Sequence, residues 1–222
     1  MARLARVIIP NIPHHVTQRG NGGAKTFFSD EDYALYLKLL TAACATAHVR
    51  CLAYVLMPNH VHLVLQPRDA VGLSKAMSSV HRAYAGIINT RRKKTGHFWQ
   101  GRFGCVAMEG EHALNALRYV LLNPVRAKLV KKPEQWPWSS AKAYLKSSKD
   151  SFTEITYFRE ICPDMKSLLA DSPEQDMAEI LLRRAETIGR PLGSVAFLEK
   201  LERKLDRPLK AAKRGPKAGE KS

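Results

Sequence analysis

The sequence predicts an α+β fold built on a ferredoxin-like antiparallel sheet. The first observation is the order of its periodic segments, strand–helix–strand–strand–helix–strand–helix, read from apolar residues at strand or helix spacing. The second is a tight break at residues 57–59, which joins two strands as a hairpin. The first six elements match the split βαβ arrangement, so two helices cover one face of the sheet. The third helix is then able to approach the other face.

Turn residues and charges set the expected boundaries of these elements. The segment His14 to Arg19 is the first strand, and the first helix begins near Ser29, which precedes three acidic residues. The third helix is expected to stop at Asn123-Pro124, because proline disfavours helix at the residue before it. The predicted strands are 14–19, 49–57, 60–66 and 102–108, and the predicted helices are about 29–48, 72–92 and 109–122.

Beyond the third helix the chain changes character. Trp136-Pro137-Trp138 predicts an ordered aromatic turn, and residues 173–205 have helical periodicity with a break at 189–193. From Arg203 onward lysine, proline and glycine are frequent, a composition typical of disorder. We therefore predict a domain at 1–145, a helical C-terminal extension at 146–202 and a basic, disordered tail at 203–222.

The net charge narrows the class of partner. The chain has 36 Lys and Arg against 20 Asp and Glu, which gives +16 and a pI near 9.9. Such an excess favours polyanions, nucleic acid first and an anionic membrane second, over a basic protein with no such partner. The four cysteines form no C-x-x-C pair, and no apolar run approaches the roughly 20 residues of a membrane span. These features predict a cytosolic protein with reduced thiols.

Two histidines in the third strand predict a metal site. His60 and His62 are one residue apart, so their side chains point to the same face, while Val61 and Leu63 point to the other. Neutral imidazole binds divalent metals well, and this spacing places two donors side by side. The alternative is a pair of structural histidines. An oxygen donor as third ligand would favour Mg²⁺ or Mn²⁺.

The third helix supplies candidates for the remaining chemistry. Asn115, Tyr119 and Asn123 recur every fourth residue and form one polar stripe. If this helix crosses the histidine face, the Tyr119 hydroxyl and the Asn123 amide oxygen approach the metal together. A tyrosine that attacks a DNA phosphate forms a phosphotyrosine ester, which a 3′-hydroxyl can reverse to join strands without ATP. Taken alone, Tyr119 would more often be a partly buried aromatic residue.

Basic and aromatic residues are interleaved after the second helix. Arg82 lies on that helix, Arg91 to Lys94 end it, and Trp99 and Arg102 follow closely. Aromatic rings stack on bases and cations contact phosphates, a pattern typical of single-strand binding. The alternative is that the aromatic rings are core residues that flank a loop. The residues predicted to contact DNA are Arg19, Arg82, Arg91, Arg92, Lys93, Lys94, Trp99, Arg102 and Arg126.

Several motifs resemble those of a known family. Residues 57–62, MPNHVH, contain the His-hydrophobic-His motif of the single-tyrosine HUH transposases, and Arg118-Tyr119 with residues 122–127 resembles that family's catalytic helix. More narrowly, the chain resembles the REP-associated tyrosine transposases. The supporting segments are 15–20, 99–103, 136–140 and 189–194. The resemblance covers about residues 5–145, the predicted transposase domain, and continues more weakly to about 205.

The resemblance implies a Mg²⁺- or Mn²⁺-dependent endonuclease and strand transferase that acts on single-stranded DNA through a 5′-phosphotyrosine. It assigns His60 and His62 as metal ligands, Tyr119 as the nucleophile and Asn123 as a third ligand. It also implies that the partner is a hairpin formed by a repetitive extragenic palindrome, bound by a bacterial, nucleoid-associated protein in the cytoplasm. Relatives include monomers and homodimers, and both states remain open.

Three alternative functions remain open from the sequence. A non-catalytic hairpin-binding protein or repressor on the same fold would bind DNA without metal and without Tyr119. A ferredoxin-like RNA-binding module would present aromatic residues on its sheet, where this sequence presents histidines. A metal-dependent hydrolase that activates water would leave no covalent protein–DNA adduct.

Overall fold

The computed structural model confirms the ferredoxin-like arrangement. It describes residues 6–146, 150–170, 180–182, 184–185 and 188–209. Four antiparallel strands form one sheet in the order β2-β3-β1-β4. The strands are β1 (His14–Arg19), β2 (Val49–Met57), β3 (His60–Pro67) and β4 (Gly104–Ala107). The helices are α1 (Asp30–Thr46), α2 (Gly72–Arg91), α3 (Glu111–Arg126), α4 (Ala141–Lys146), α5 (Thr156–Ile161), α6 (Met165–Leu168) and α7 (Val195–Leu205).

The sheet has an apolar core on each face. Val61, Leu63 and Leu65 of β3 pack with α1 and α2 on one face. Val64 lies on the other face, where the apolar side of α3 covers the sheet. This division follows from the alternation of side chains along a strand, and it confirms that α3 packs opposite the first two helices. The face under α3 is the one that also receives the even-numbered histidines of β3.

Helix α3 is longer than the sequence predicts. The expected end at residue 122 is wrong, because the helix continues through Pro124 to Arg126. Proline lacks an N–H and crowds the preceding turn, which is why the sequence favoured a stop. Pro124 and Asn123 are buried, and their carbonyls accept from the N–H groups of Leu129 and Ala127, both at 2.9 Å. Burial and these hydrogen bonds outweigh the helix-breaking tendency of the proline.

Segments from the C-terminal part of the chain cover both outer strands. The N–H of Leu56 in β2 donates to the carbonyl of Trp138 at 2.9 Å, and the Trp136 indole donates to the Leu56 carbonyl at 3.0 Å. The predicted aromatic turn is therefore ordered against the sheet. At the β4 edge, the Leu192 N–H donates to the Ala107 carbonyl at 2.8 Å. Occupied edges resist pairing with strands of another chain.

The extension also fills the cores. Phe158 is buried in the core beneath α3, and Phe197 of α7 packs in a smaller core with Val7 and Ile9 near the N-terminus. The chain remains ordered past the predicted start of the tail at 203, because α7 runs to 205 and Leu209 is buried. Residues 210–222 lie outside the described residues. None of the helices in the described ranges is long and apolar enough to cross a membrane.

His14 links the N-terminal segment to the first strand. It is fully buried, its Nδ1–H donates to the Ile12 carbonyl at 2.7 Å, and its Nε2 accepts from the Ile9 N–H at 3.1 Å. Burial lowers the pKa of His14 to about 4, and the bond to Ile12 opposes this only in part. His81 on α2 is likewise buried, and burial lowers its pKa to about 3. Both imidazoles are therefore held neutral in the folded protein.

Acidification should destabilise the protein partly through His14. Its folded pKa lies below its unfolded value of 6.5, so its contribution is complete above pH 6.5 and is lost as the pH falls toward 4. The loss is on the order of 3 kcal/mol for a shift of this size. Urea unfolding at a series of pH values from 7.5 to 4.5 measures how steeply the free energy of unfolding falls with pH. We expect a shallower slope in His14→Asn, whereas exposed His97→Asn should keep the wild-type slope. Equal slopes in all three proteins would contradict this assignment.

Candidate active site

The two histidines of β3 lie on the face of the sheet that α3 covers. His62 is paired with Thr17 of β1 and Val55 of β2, and His60 is paired with Arg19 and Met57. The His60 and His62 rings meet edge to face, with centroids 4.8 Å apart. Their spacing thus brings them together as the sequence predicts, at the end of the strand where the hairpin turn begins.

The hairpin turn before His60 is fixed by hydrogen bonds to the loop after β1. The Gly20 N–H donates to the Asn59 carbonyl at 2.9 Å, and the Asn59 side-chain NH₂ donates to the Gly23 carbonyl at 3.0 Å. Gly20 has no room for a side chain, since a Cβ there would lie 2.2 Å from the Ala24 carbonyl oxygen. The first histidine therefore follows a turn whose backbone is held from outside the hairpin.

Tyr119 packs directly on the histidines. Its ring meets the His62 ring edge-on at a centroid distance of 5.0 Å and the His15 ring at 5.8 Å. The side chain is buried, with only 6% of its surface exposed. Leu117 and Leu121 on either side of it in α3 are buried in the sheet core, which fixes the rotation of the helix. The predicted nucleophile thus packs on His62, one of the predicted ligands, within one chain.

His15 is a member of this cluster that the sequence did not single out as a site residue. It is fully buried, stacks on His62 with ring centroids 5.1 Å apart, and its Nε2 lies 3.1 Å from His62 Nδ1. The same period-two alternation that pairs His60 with His62 places His15 beside Thr17 and Arg19 on this face. That alternation was the available signal, but only the register between β1 and β3 brings His15 to His62.

The residues present fit a divalent metal by donor type. His60 and His62 supply imidazole nitrogens, and buried Asn123, one turn after Tyr119 on α3, supplies an amide oxygen. Within the described ranges, no group of three or more His, Cys, Asp and Glu side chains is placed to hold a metal ion. Two imidazoles therefore need oxygen donors of another kind, such as an amide or a phosphate, which hard ions prefer.

Arg19 and Arg102 lie near the histidine end of the sheet. Arg19 is paired with His60 across the β1–β3 ladder, and its side chain is exposed. The loop before β4 returns alongside, because the Gln100 N–H donates to the Arg19 carbonyl at 2.8 Å. Arg102, in the same loop, is also exposed. Contacts of these two cations with a DNA phosphate remain predictions.

Five further cations predicted to contact DNA lie on or just after α2, which packs on the opposite face of the sheet; they are Arg82, Arg91, Arg92, Lys93 and Lys94. All five are exposed. Arg91 pairs with fully buried Asp32 at 2.5 Å, and Asp32 also accepts from the Phe28 N–H at 2.8 Å. The Arg92 guanidinium lies 3.8 Å from the centre of the Phe28 ring. Arg91 and Arg92 therefore have structural contacts in addition to any contact with DNA.

Trp99 and Arg126 are less accessible than the sequence prediction assumed. Trp99 is partly buried, its indole donates to the His81 carbonyl at 2.9 Å, and its ring packs 5.9 Å from that of Tyr84. Arg126 is partly buried in the last turn of α3. DNA contacts by these two residues remain predictions, and the packing gives Trp99 a role in the core between α1 and α2.

Arg118 is a second buried polar residue on α3 with a structural role. It precedes Tyr119, is 3% exposed, and donates from Nε to the Leu168 carbonyl at 3.0 Å and from a terminal nitrogen to the Ala170 carbonyl at 2.8 Å. These bonds join α3 to the segment around α6. Helix α3 is thereby held by the extension on one side and by the sheet on the other.

Comparisons with known proteins indicate which family and fold this chain resembles. The IS200-like transposase family model matches residues 14–122. A solved REP-associated tyrosine transposase bound to a REP hairpin is similar in fold, with a TM-score of 0.58 at 17% identity, over 70% of this chain and 90% of that chain. A search among curated proteins found no significant match.

A second structure, from Deinococcus radiodurans R1 and provisionally assigned as a transposase, has 16% identity and a TM-score of 0.39, over 55% of this chain and 97% of that chain. The family match spans all four strands and α3 as far as residue 122, so it includes both histidines and Tyr119. Residues 14–122, which carry the candidate site, are thus similar to the IS200-like transposases.

Proposed function

We propose that the protein is a Mg²⁺- or Mn²⁺-dependent endonuclease and strand transferase for single-stranded DNA, acting on hairpins formed by repetitive palindromes in the bacterial cytoplasm. The observation that carries this proposal is the packing of Tyr119 on His62, 5.0 Å between ring centroids, within a transposase-family domain. The REP hairpin bound to the structurally similar transposase supports the choice of hairpin DNA.

The proposed reaction begins with attack by the Tyr119 hydroxyl oxygen on a DNA phosphorus. The phenol loses its proton, the new Tyr–O–P bond forms, and the bond from phosphorus to the 3′-oxygen breaks. The products are a 5′-phosphotyrosine and a strand with a 3′-hydroxyl, so a later 3′-hydroxyl can reverse the step. His60, His62 and Asn123 would hold the metal, which when bound offsets the negative charge that develops on the phosphate.

The structure supports action of Tyr119 on the histidines of its own chain. Tyr119 contacts His62 and His15 directly, and α3 packs on the same sheet that carries these residues. Segments around Trp138 and Leu192 occupy the outer strands, where another copy of the sheet would pair edge to edge. We therefore propose that a monomer contains a complete site.

A second candidate is a hairpin-binding protein without catalytic activity. The burial of Tyr119 favours it, because a hydroxyl on a side chain that is 6% exposed has limited access to a phosphate in this conformation. The catalytic proposal requires that DNA approach along the His60 end of the sheet, or that α3 move. The two candidates differ in whether covalent DNA is formed.

The Tyr119→Phe variant should separate these two functions. Wild-type protein with Mg²⁺ and labelled hairpins carrying single-stranded flanks should give a covalent adduct on a denaturing gel. The variant should lose the adduct entirely, since phenylalanine has no nucleophilic oxygen, while keeping hairpin affinity within about threefold (~0.7 kcal/mol). EDTA should also abolish the adduct. Tight hairpin binding without any adduct, across both metals, would establish the non-catalytic alternative.

A mixing experiment tests whether the site is complete within one chain. Tyr119→Phe is mixed with the double variant His60→Ala/His62→Ala under the conditions that give the wild-type adduct. If Tyr119 acts on its own histidines, neither chain has a complete site and the mixture stays inactive. An adduct on the chain that retains Tyr119 would instead show that the tyrosine is donated to a partner's histidines.

Arg91 and Lys94 should differ in their effects on stability and on DNA binding. Arg91→Gln leaves buried Asp32 without its cation, so we expect a loss of about 1–2 kcal/mol, discounted because Arg91 is half-exposed. Lys94→Gln should leave stability within about 0.5 kcal/mol. It should reduce the slope of log affinity against log salt by about 0.9 for one phosphate contact. An unchanged slope would show that Lys94 does not contact a DNA phosphate.

A further inference from the structure

The ring of His60 is held by the side-chain amide of Asn59, whose orientation is fixed by its two hydrogen-bond partners. The Asn59 side chain lies between His60 and Gly23. Its Oδ1 is 2.6 Å from His60 Nδ1, and its Nδ2 is 3.0 Å from the Gly23 carbonyl oxygen. A carbonyl oxygen accepts only, so the NH₂ group must face Gly23 and the amide oxygen must face His60. The oxygen in turn needs a donor, which places the proton of neutral His60 on Nδ1 and its lone pair on Nε2.

The ring of His62 is contacted at the same nitrogen by His15, and a metal on His62 Nε2 would leave the His62 proton on Nδ1, from which it donates to His15 Nε2. His62 Nδ1 and His15 Nε2 are 3.1 Å apart, and the rings are stacked within 4° of parallel. His15 lies on the central strand β1, between Val64 of β3 and Val106 of β4, and has no exposed surface. Water therefore does not compete for this bond, and the flanking valines restrict rotation of the His15 ring.

We propose that His15 and Asn59 are positioning residues that present Nε2 of His62 and of His60 to the metal. This inference rests on the proposed metal site. In both rings Nδ1 is bound by a neighbouring side chain, so Nε2 is the nitrogen that takes no part in these bonds. A partner on the far nitrogen fixes both the tautomer and the direction of a ligand ring, and its loss typically lowers metal affinity 10–100-fold.

The two positioning residues come from separate parts of the sheet. Asn59 belongs to the β2–β3 turn and is held by the loop after β1, whereas His15 lies within β1 itself. Pairing of β1 with β3 is therefore needed for both histidines to point correctly. His15 also meets the Tyr119 ring edge-on, so the same side chain limits where the tyrosine can lie relative to His62.

Metal titration of the full-length protein without DNA tests this proposal. Mn²⁺ binding is followed through the electron paramagnetic resonance signal of the unbound ion. His15→Phe keeps a flat ring but removes the acceptor, and we expect it to weaken Mn²⁺ binding about 10–100-fold. His15→Gln restores an acceptor and should recover much of the affinity. Asn59→Leu should weaken binding to a similar extent.

His14 provides the matched control, because it neighbours His15 on β1, is equally buried and points to the opposite face. His14→Gln should lower stability while leaving Mn²⁺ affinity within about twofold (~0.4 kcal/mol). A long-range ¹H–¹⁵N spectrum of metal-free wild-type protein at pH 8 supplies a second measurement. It should show His60 and His62 as Nδ1–H tautomers, with the His62 preference lost in His15→Phe.

The outcomes distinguish this inference from the proposed function. If wild-type protein binds Mn²⁺ through His60 and His62 but His15→Phe and Asn59→Leu bind it equally well, the positioning role is overturned and the metal site stands. Nε2–H tautomers of His60 and His62 would overturn the role independently of any metal. If the wild type does not bind Mn²⁺, or if His60→Ala/His62→Ala binds it equally well, the proposed metal site is wrong. This inference then fails with it.

Discussion

The alternation of side chains along β3 is the constraint on which the site depends. Apolar residues at odd positions anchor the strand to α1 and α2, and this leaves the even positions, His60 and His62, facing α3. A shift of one residue in the pairing would bury the histidines under α1 and α2 and expose the leucines to α3. The core that stabilises the sheet therefore also fixes which face carries the chemistry.

Other contacts serve to hold this arrangement in place. The turn at Asn59 is bound by the loop after β1, and Arg118 joins α3 to the segment around α6. Residues 136–139 cover the β2 edge, and the extension covers the β4 edge and contributes Phe158 to the core beneath α3. The extension therefore contributes hydrogen bonds and packing to a site whose predicted ligands and nucleophile all lie before residue 124. Together these contacts connect the sheet, the β2–β3 turn and α3.

The strands and helices of the sheet domain and their order could be predicted from the sequence, because period-two and helical patterns are local and strong in this chain. It was less successful where tertiary packing decides. Pro124 continues α3 because the turn around it is buried, and no local signal reports that burial. His15 reaches His62 only through the β1–β3 register, which pairs residues 47 positions apart. Likewise, no local signal indicates that Arg91, predicted to contact DNA, also pairs with buried Asp32.

We propose that one chain brings Tyr119 to a metal held by His60 and His62. Anomalous diffraction from crystals soaked in Mn²⁺ would test it most directly. We predict one strong anomalous peak at bonding distance from Nε2 of both histidines. His15 should contact His62 Nδ1, and Tyr119 of the same chain should lie beside the metal. A soak that loads metal elsewhere, or a site completed by the tyrosine of a neighbouring chain, would contradict the claim.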